Sequence, residues 1–434
     1  MTRRTWWLSG LGGLIAASIS VVGGTQNSLA TTAPECQVWV SSLGSSSLTV
    51  IDTWTSAPST IELNGNPSIS DFTFNRTGTK IFVATMTGLR MIDPATYGVS
   101  TIASGIYGLG LGDFGAIAAS PTADRIIVTT NQSVNGTYPY EILNSLTGAP
   151  VSSSTLSQRS ADVAFDPSGH AYAADFVFMA ANPAGRLDEI DISVPTTLTF
   201  TDVNLAFWEF YTVAEVAAPA GQTPILFVGS NQNTLDADNY FLRAIDTTNM
   251  SILATATLQS SPSGMAVSAA GDRLFVSQFG TDEVLVLDTI TRNVVSQISV
   301  GDGPSGLAVT PDGRFLYVAN SINIPNQQFG TVSKIDLSTM SVVGTITVNS
   351  SPTKMAIGPA GCVSEQPQVA PTTTVPANSS PTTTVPANSS LTTTVQSLPT
   401  TGPSSSNESF ANISLIFLAV GVVVVFARRR RLVA

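Results

Sequence analysis

Short apolar runs separated by tight-turn residues fill the middle of this chain. The clearest stretch, Pro304 to Asn320, reads PSGLAVTPDGRFLYVAN. An apolar run meets Pro311-Asp312-Gly313 and a second run follows, rich in aromatic and β-branched residues. This pattern predicts two antiparallel strands joined by a tight turn. A third strand ends in an Ile-Asp or Leu-Asp pair and a Thr-rich turn. A fourth follows, as in Val294 to Val300.

The pair recurs at Ile51-Asp52, Ile92-Asp93, Leu143-Asn144, Ile190-Asp191, Ile245-Asp246, Leu287-Asp288 and Ile335-Asp336. The spacing is that of a four-stranded repeat. Seven such units predict an all-β fold, a seven-bladed β-propeller of four-stranded antiparallel blades. The repeated Asp, replaced by Asn144 in one unit, reads as a turn former that hydrogen-bonds nearby backbone. The strand Leu316-Tyr317-Val318-Ala319-Asn320 resembles the YVTN family of β-propeller repeats, with echoes at Ile81 to Ala84 and Leu274 to Ser277. The resemblance is strong over 261–360 and weak over 100–240.

The ends of the repeat region are out of phase. It begins with a second strand, Gln37 to Ser41, and ends with a first strand, Lys354 to Gly358, so one blade would be completed by both. Aligned on the Pro304 unit, Gly361 matches Gly313, and Cys36 and Cys362 both fall near Arg314. A Cys36–Cys362 disulfide is therefore expected, in an exported compartment.

Two longer apolar runs have a different meaning. Arg3-Arg4, the run from Trp6 to about Gly24, and Ser28-Leu29-Ala30 have the order of a secretory signal peptide, cut after Ala30. Near the other end, Leu398-Pro399-Thr400-Thr401-Gly402 precedes a polar spacer, the apolar run Ile413 to Ala427, and Arg428 to Arg431. The run is short for a transmembrane helix, and the arginines would hold its end in the cytoplasm. The whole order resembles the sorting signal of Gram-positive surface proteins, Leu-Pro-any-Thr-Gly. The resemblance implies that a sortase cleaves Thr401-Gly402 and joins Thr401 covalently to peptidoglycan. The hydrophobic helix would hold the chain in the plasma membrane meanwhile.

Between repeats and signal, Pro371 to Ser380 reads PTTTVPANSS and is repeated over Pro381 to Ser390. Without apolar periodicity no core can form, and Pro with Thr favours extended backbone. This disordered Pro/Thr-rich stalk could reach roughly 100 Å. The expected organisation is signal peptide at 1–30, propeller at 31–362, stalk at 363–397 and sorting signal at 398–434.

Composition narrows the chemistry. The formal net charge is -11, and without the leader and the tail the balance is more acidic, with 12 basic and 28 acidic residues. Such a surface repels phosphate backbones, so no nucleic-acid partner is expected. Two Cys and one His, His170, leave little for transition-metal sites or Ser-His-Asp catalysis. His170 aligns with a tight turn and reads as solvated. Asp236 and Asp238 have the spacing of calcium ligands without the later ligands of that loop, and read as a solvated turn. No cofactor, metal site or catalytic residue is assigned.

The long irregular segments, Phe176–Arg186, Asn204–Phe210, Asn231–Tyr240 and Ser321–Gly330, fall mostly on the face opposite the Asp-Gly turns. That face is the expected binding surface. Phe207, Trp208 and Phe210 are its candidate contacts for a sugar ring or a protein partner. The expected function is a non-enzymatic, cell-wall-anchored surface protein whose propeller binds or adheres to an extracellular glycan or protein. An architectural wall component without a ligand and an extracellular, lactonase-like propeller enzyme using carboxylates are the alternatives.

Overall fold

The computed structural model describes residues 34–365, apart from 43, 64, 66–67, 103–113, 131, 157–158, 177–186, 193–197, 202–208, 234–237, 322–328 and 350. These residues form seven four-stranded antiparallel sheets. Blades 1 to 6 span 69–102, 114–156, 159–201, 209–258, 262–299 and 304–349. Blade 7 is built from both ends: its inner strand Pro352–Gly358 pairs with Gln37–Ser42, followed by Ser47–Asp52 and Pro58–Glu62. The inner strands contact one another in succession around a closed ring, from blade 1 through blade 7 and back. The fold is a seven-bladed β-propeller.

The termini meet as the register of the repeats requires. Cys36 and Cys362 form a disulfide, with Cα atoms 4.9 Å apart and 326 residues between them in sequence. A loop this long makes the cross-link worth about 6 kcal/mol on chain-entropy grounds.

The core is divided into seven apolar clusters, one at each blade junction. Their composition follows from the taper of the wedge-shaped spaces between blades. The second strands place Trp39, Phe82, Ile127, Tyr172, Phe227, Phe275 and Tyr317 at one register position, each 0–1% exposed. Opposite them on the inner strands stand Ala356, Thr73, Ala118, Ala164, Glu215, Ala266 and Ala308. Large side chains fill the wide part of the wedge and small ones the narrow part near the axis. Glu215 alone departs from this rule.

The Asp after Ile or Leu does what the repeat suggests. Asp52, Asp93, Asn144, Asp246, Asp288 and Asp336 each accept, through Oδ1, the backbone N–H two residues on, at 2.8–3.1 Å. The carboxyl groups of Asp93, Asp246, Asp288 and Asp336 are held below the usual range chiefly by the Lys80 ammonium, the Thr248 hydroxyl, the Thr291 N–H and the Ser338 hydroxyl in turn, and that of Asp52 by bonds with Glu35, Thr55 and Trp54. In Asp52 the contribution of burial opposes them.

One expected loop is ordered pairing instead. In Asn231–Tyr240, expected to be irregular, Asn231, Gln232 and Asn233 pair with Tyr240, Asn239 and Asp238. The two strands of this hairpin, Ile225–Asn233 and Asp238–Asp246, run on past the length of most of their counterparts. Phe210 likewise lies in a strand, opposite Asn231. Among the described residues no helix is long and apolar enough to cross a membrane. The apolar runs at 6–24 and 413–427 lie outside them.

Candidate functional site

The propeller axis holds a cavity of about 500 Å3 lined by the inner strands. At the turn-face ends of those strands it is lined by Pro121, Phe165, Val267 and Val309. Deeper in, four charged groups line it: Asp71, Asp162, Glu215 and Lys354.

Three of them occupy one ring position, fixed by a β-bulge that each inner strand carries near its start. The first residue after the bulge is Asp71 in blade 1, Asp162 in blade 3, Val213 in blade 4 and Gly264 in blade 5. The same alignment gives Ala116, Gly306 and Lys354 in blades 2, 6 and 7. In blades 5 and 6 this residue must be Gly. A Cβ on Gly264 would stand 2.1 Å from the carbonyl oxygen of Ser305, and one on Gly306 2.4 Å from that of Thr353. The serine before each Gly ties the same junction. Ser263 Oγ donates to Pro304 O at 2.6 Å, and Ser305 Oγ to Pro352 O at 2.9 Å.

In blade 1 a carboxylate does this work. Asp71 Oδ1 accepts the N–H of Phe72 at 2.8 Å, and its Oδ2 accepts the N–H of Ile117, on the next inner strand, at 3.2 Å. Asp162 makes the first of these bonds, to Val163 N–H, at 3.0 Å. Lys354 balances the two acids. Its Nζ is 4.0 Å from Asp71 Oδ2, and the charges of Asp162 and then Asp71 push its pKa up.

Burial pushes Asp71 up to about 6, with Lys354 opposing. Glu215, one step further along its strand, is pushed up to about 8, first by burial and then by the charge of Asp162. At neutral pH Glu215 thus mostly keeps its proton, beside a charged Lys354 and a mostly ionised Asp71.

The chain leaves the propeller on the face of the tight turns. Val363 exchanges backbone hydrogen bonds with the segment before the first strand, to Pro34 O at 2.9 Å and from Cys36 N at 3.1 Å. Ser364 donates its N–H and its Oγ–H to Asp312 Oδ2 at 2.8 and 2.7 Å, and Glu365 pairs with Arg314. Of Val363 to Glu365, expected at the start of the stalk, Val363 is thus fastened to the segment before the first strand, and Ser364 and Glu365 to the turn of blade 6. The exposed His170 also lies on this face, 3.3 Å from Glu189 and 3.8 Å from Asp166.

Of the residues singled out in the sequence, the structure brings together Cys36 and Cys362. Phe207, Trp208 and Asp236 lie outside the described residues, as do Leu398, Pro399, Thr400, Thr401 and Gly402. Asp71, Asp162 and Glu215 escaped sequence reading because the repeats of blades 1 to 4 are degenerate. Aligning the inner strands on their partner aromatics would have exposed Glu215 as an acid among Ala and Thr.

A scan against protein-family models found no match, and neither did a sequence search of curated proteins. Solved structures do resemble the fold. One is a hydrazine synthase of Kuenenia stuttgartiensis, 16% identical, with a TM-score of 0.53 over 68% of this chain and 90% of that one. Another is a functionally unknown protein from Desulfotomaculum acetoxidans, 14% identical, with a TM-score of 0.56 over 75% and 99%. At these identities the likeness is one of fold alone.

Proposed function

We propose that this chain is a cell-wall-anchored surface protein that displays its propeller, on a Pro/Thr stalk, to an extracellular glycan or protein. In this reading a sortase joins Thr401 to peptidoglycan, and the protein acts by binding and not as an enzyme. The observation that carries the display is the fastening of Val363, Ser364 and Glu365 to the turn face. A tether that starts there leaves the opposite face, the binding surface expected from the sequence, turned away from the wall. The order of leader, repeats, Pro/Thr run, Leu398 to Gly402, apolar run and arginines in the sequence supports the anchoring.

The test uses the full chain in a Gram-positive host. Wall hydrolase should release the wild-type protein, whereas Thr401→Ala should leave it in the membrane fraction or the medium. Displaying cells should bind selected spots on a glycan and matrix-protein array and lose them with Trp208→Ala and Phe210→Ala together. Equal fractionation of wild type and Thr401→Ala would sink the anchoring. Array binding by neither form would sink the adhesive role.

A further inference from the structure

The chain leaves the propeller beside blade 7, and the two strands nearest that exit are held very unequally. The inner strand Pro352–Gly358 pairs on one side only, with Gln37–Ser42. Its residues Thr353 to Ile357 are no more than half-buried. Gln37–Ser42 pairs on both sides, with Pro352–Gly358 and with Ser47–Asp52. Every residue of it after Gln37 is buried. Its Trp39 is fully buried, with its ring centre 6.0 Å from that of Phe74 and 5.9 Å from that of Tyr97, both in blade 1.

A pull on the chain beyond Glu365 meets weak contacts first. The pair of Glu365 with Arg314 is exposed and holds little. Ser364 follows, with its bonds to Asp312, and then Val363, with its backbone bonds to Pro34 and Cys36. Without a cross-link the pull would pass next to Gly358 and draw out the lightly held inner strand. That strand stands between the inner strands of blades 6 and 1, so its loss would open the ring.

The disulfide changes the path. Cys362 lies between Gly358 and Val363, and its partner Cys36 directly precedes Gln37. Gln37 and Gly358 stand opposite each other in the ladder. The two strands are thus tied at neighbouring ends, and neither can be drawn out without the other. Moving both breaks the ladder to Ser47–Asp52 as well and takes Trp39 out of the core.

We propose that the Cys36–Cys362 disulfide is a tension link, which passes a pull on the stalk from the lightly held Pro352–Gly358 to the firmly held Gln37–Ser42 and so keeps the ring closed under load. The source of the pull rests on the anchored reading above; its path through the fold does not.

The test stretches single molecules of the mature chain. One handle is a biotin-acceptor peptide inserted between Asn135 and Gly136, both exposed, in the connection of the second and third strands of blade 2. The other is joined to Thr401. Unfolding is timed at constant force with the disulfide closed, and again after the same molecules have refolded and been reduced under no load. The final extension identifies each form. The closed form lengthens over the 99 residues from Cys36 to Asn135, about 350 Å, and the open form over the 227 from Asn135 to Cys362, about 800 Å.

Reduction should speed unfolding at least about tenfold at one force, and the ratio should grow with the force. A cross-link acting only through the entropy of the unfolded chain would change refolding and leave this rate alone. Trp39→Phe, which loosens Gln37–Ser42 and keeps an apolar ring, should speed unfolding of the closed form alone. Equal rates before and after reduction overturn the proposal. So does a ratio that is the same at every force, which would make the cross-link a general brace. An equal effect of Trp39→Phe on both forms would take the load path away from Gln37–Ser42 and overturn it too. The instrument supplies the pull, so these outcomes are independent of whether a sortase joins Thr401 to peptidoglycan, which the fractionation above decides.

Discussion

Blades 5 and 6 and blades 1 and 3 meet one packing requirement by opposite means. Around the axis each inner strand must be tied to the next. In blades 5 and 6 the side chain is removed: Gly264 and Gly306 admit a carbonyl of the next strand, and Ser263 and Ser305 donate to carbonyls there. In blade 1 a side chain is inserted: Asp71 reaches across and accepts the N–H of Ile117. The first solution leaves no charge behind. The second places a buried acid at the axis, and two such acids need a counter-ion, which Lys354 supplies. The charged half of the cavity thus arises partly as a consequence of how blades 1 and 3 are joined, and Glu215 is the addition that joining does not require.

The comparison breaks most sharply at the glycines. Gly306→Val drives a side chain into the backbone of Thr353, where nothing flexible can yield. A loss of about 3 kcal/mol is expected in denaturant unfolding, at the upper end for overpacking. A loss under about 1 kcal/mol would mean that the inner strands separate readily, and the contrast between the two halves would fail.

At the other solution, Asp71→Ala leaves the N–H of Ile117 unpaired in the interior and takes one carboxylate from Lys354. About 2 kcal/mol should be lost. Asp71→Asn keeps an acceptor for the strand and should cost less than Asp71→Ala. Equal losses would assign the role of Asp71 to its charge and not to its strand bond.

The smallest effect sharpens the distinction between joining and the extra acid. Because its folded pKa of about 8 exceeds the ordinary 4.5, Glu215 contributes most to stability while it holds its proton. That contribution is full below about 4.5, falls as pH rises through about 8, and is absent above. Glu215→Gln keeps a neutral group, so its melting temperature should match the wild type's near pH 4.5. Above pH 8 the variant should be the more stable, by about 1 kcal/mol once partial exposure is allowed for. A constant difference across this window would show that Glu215 titrates normally.

Legibility in the sequence followed regularity. Where Pro-Ser-Gly and the Pro-Asp-Gly turn survive, as in Pro304 to Asn320, the strands, the turn and the out-of-phase ends could all be read, and the disulfide followed from that phase. In blades 1 to 4 the inner strands lack the motif, since Asp71, Ala116, Asp162 and Val213 replace Gly. A position where one blade uses Gly and another Asp shows no pattern along the chain, so the axial cluster stayed hidden. The Asn231–Tyr240 segment misled for a related reason: polar residues can hydrogen-bond in a ladder as well as in a loop.

The sequence by itself determined the blade count, the closure by both ends and the turn role of the repeated Asp, because each rests on local geometry repeated seven times. Only the tertiary structure decided that Asp71, Asp162, Glu215 and Lys354 share one cavity. They are separated by 283 residues from first to last, and charges are brought together by the ring's curvature, to which no local propensity refers. The same holds for the place of Ser364 and Glu365, which meet Asp312 and Arg314 of the neighbouring blade.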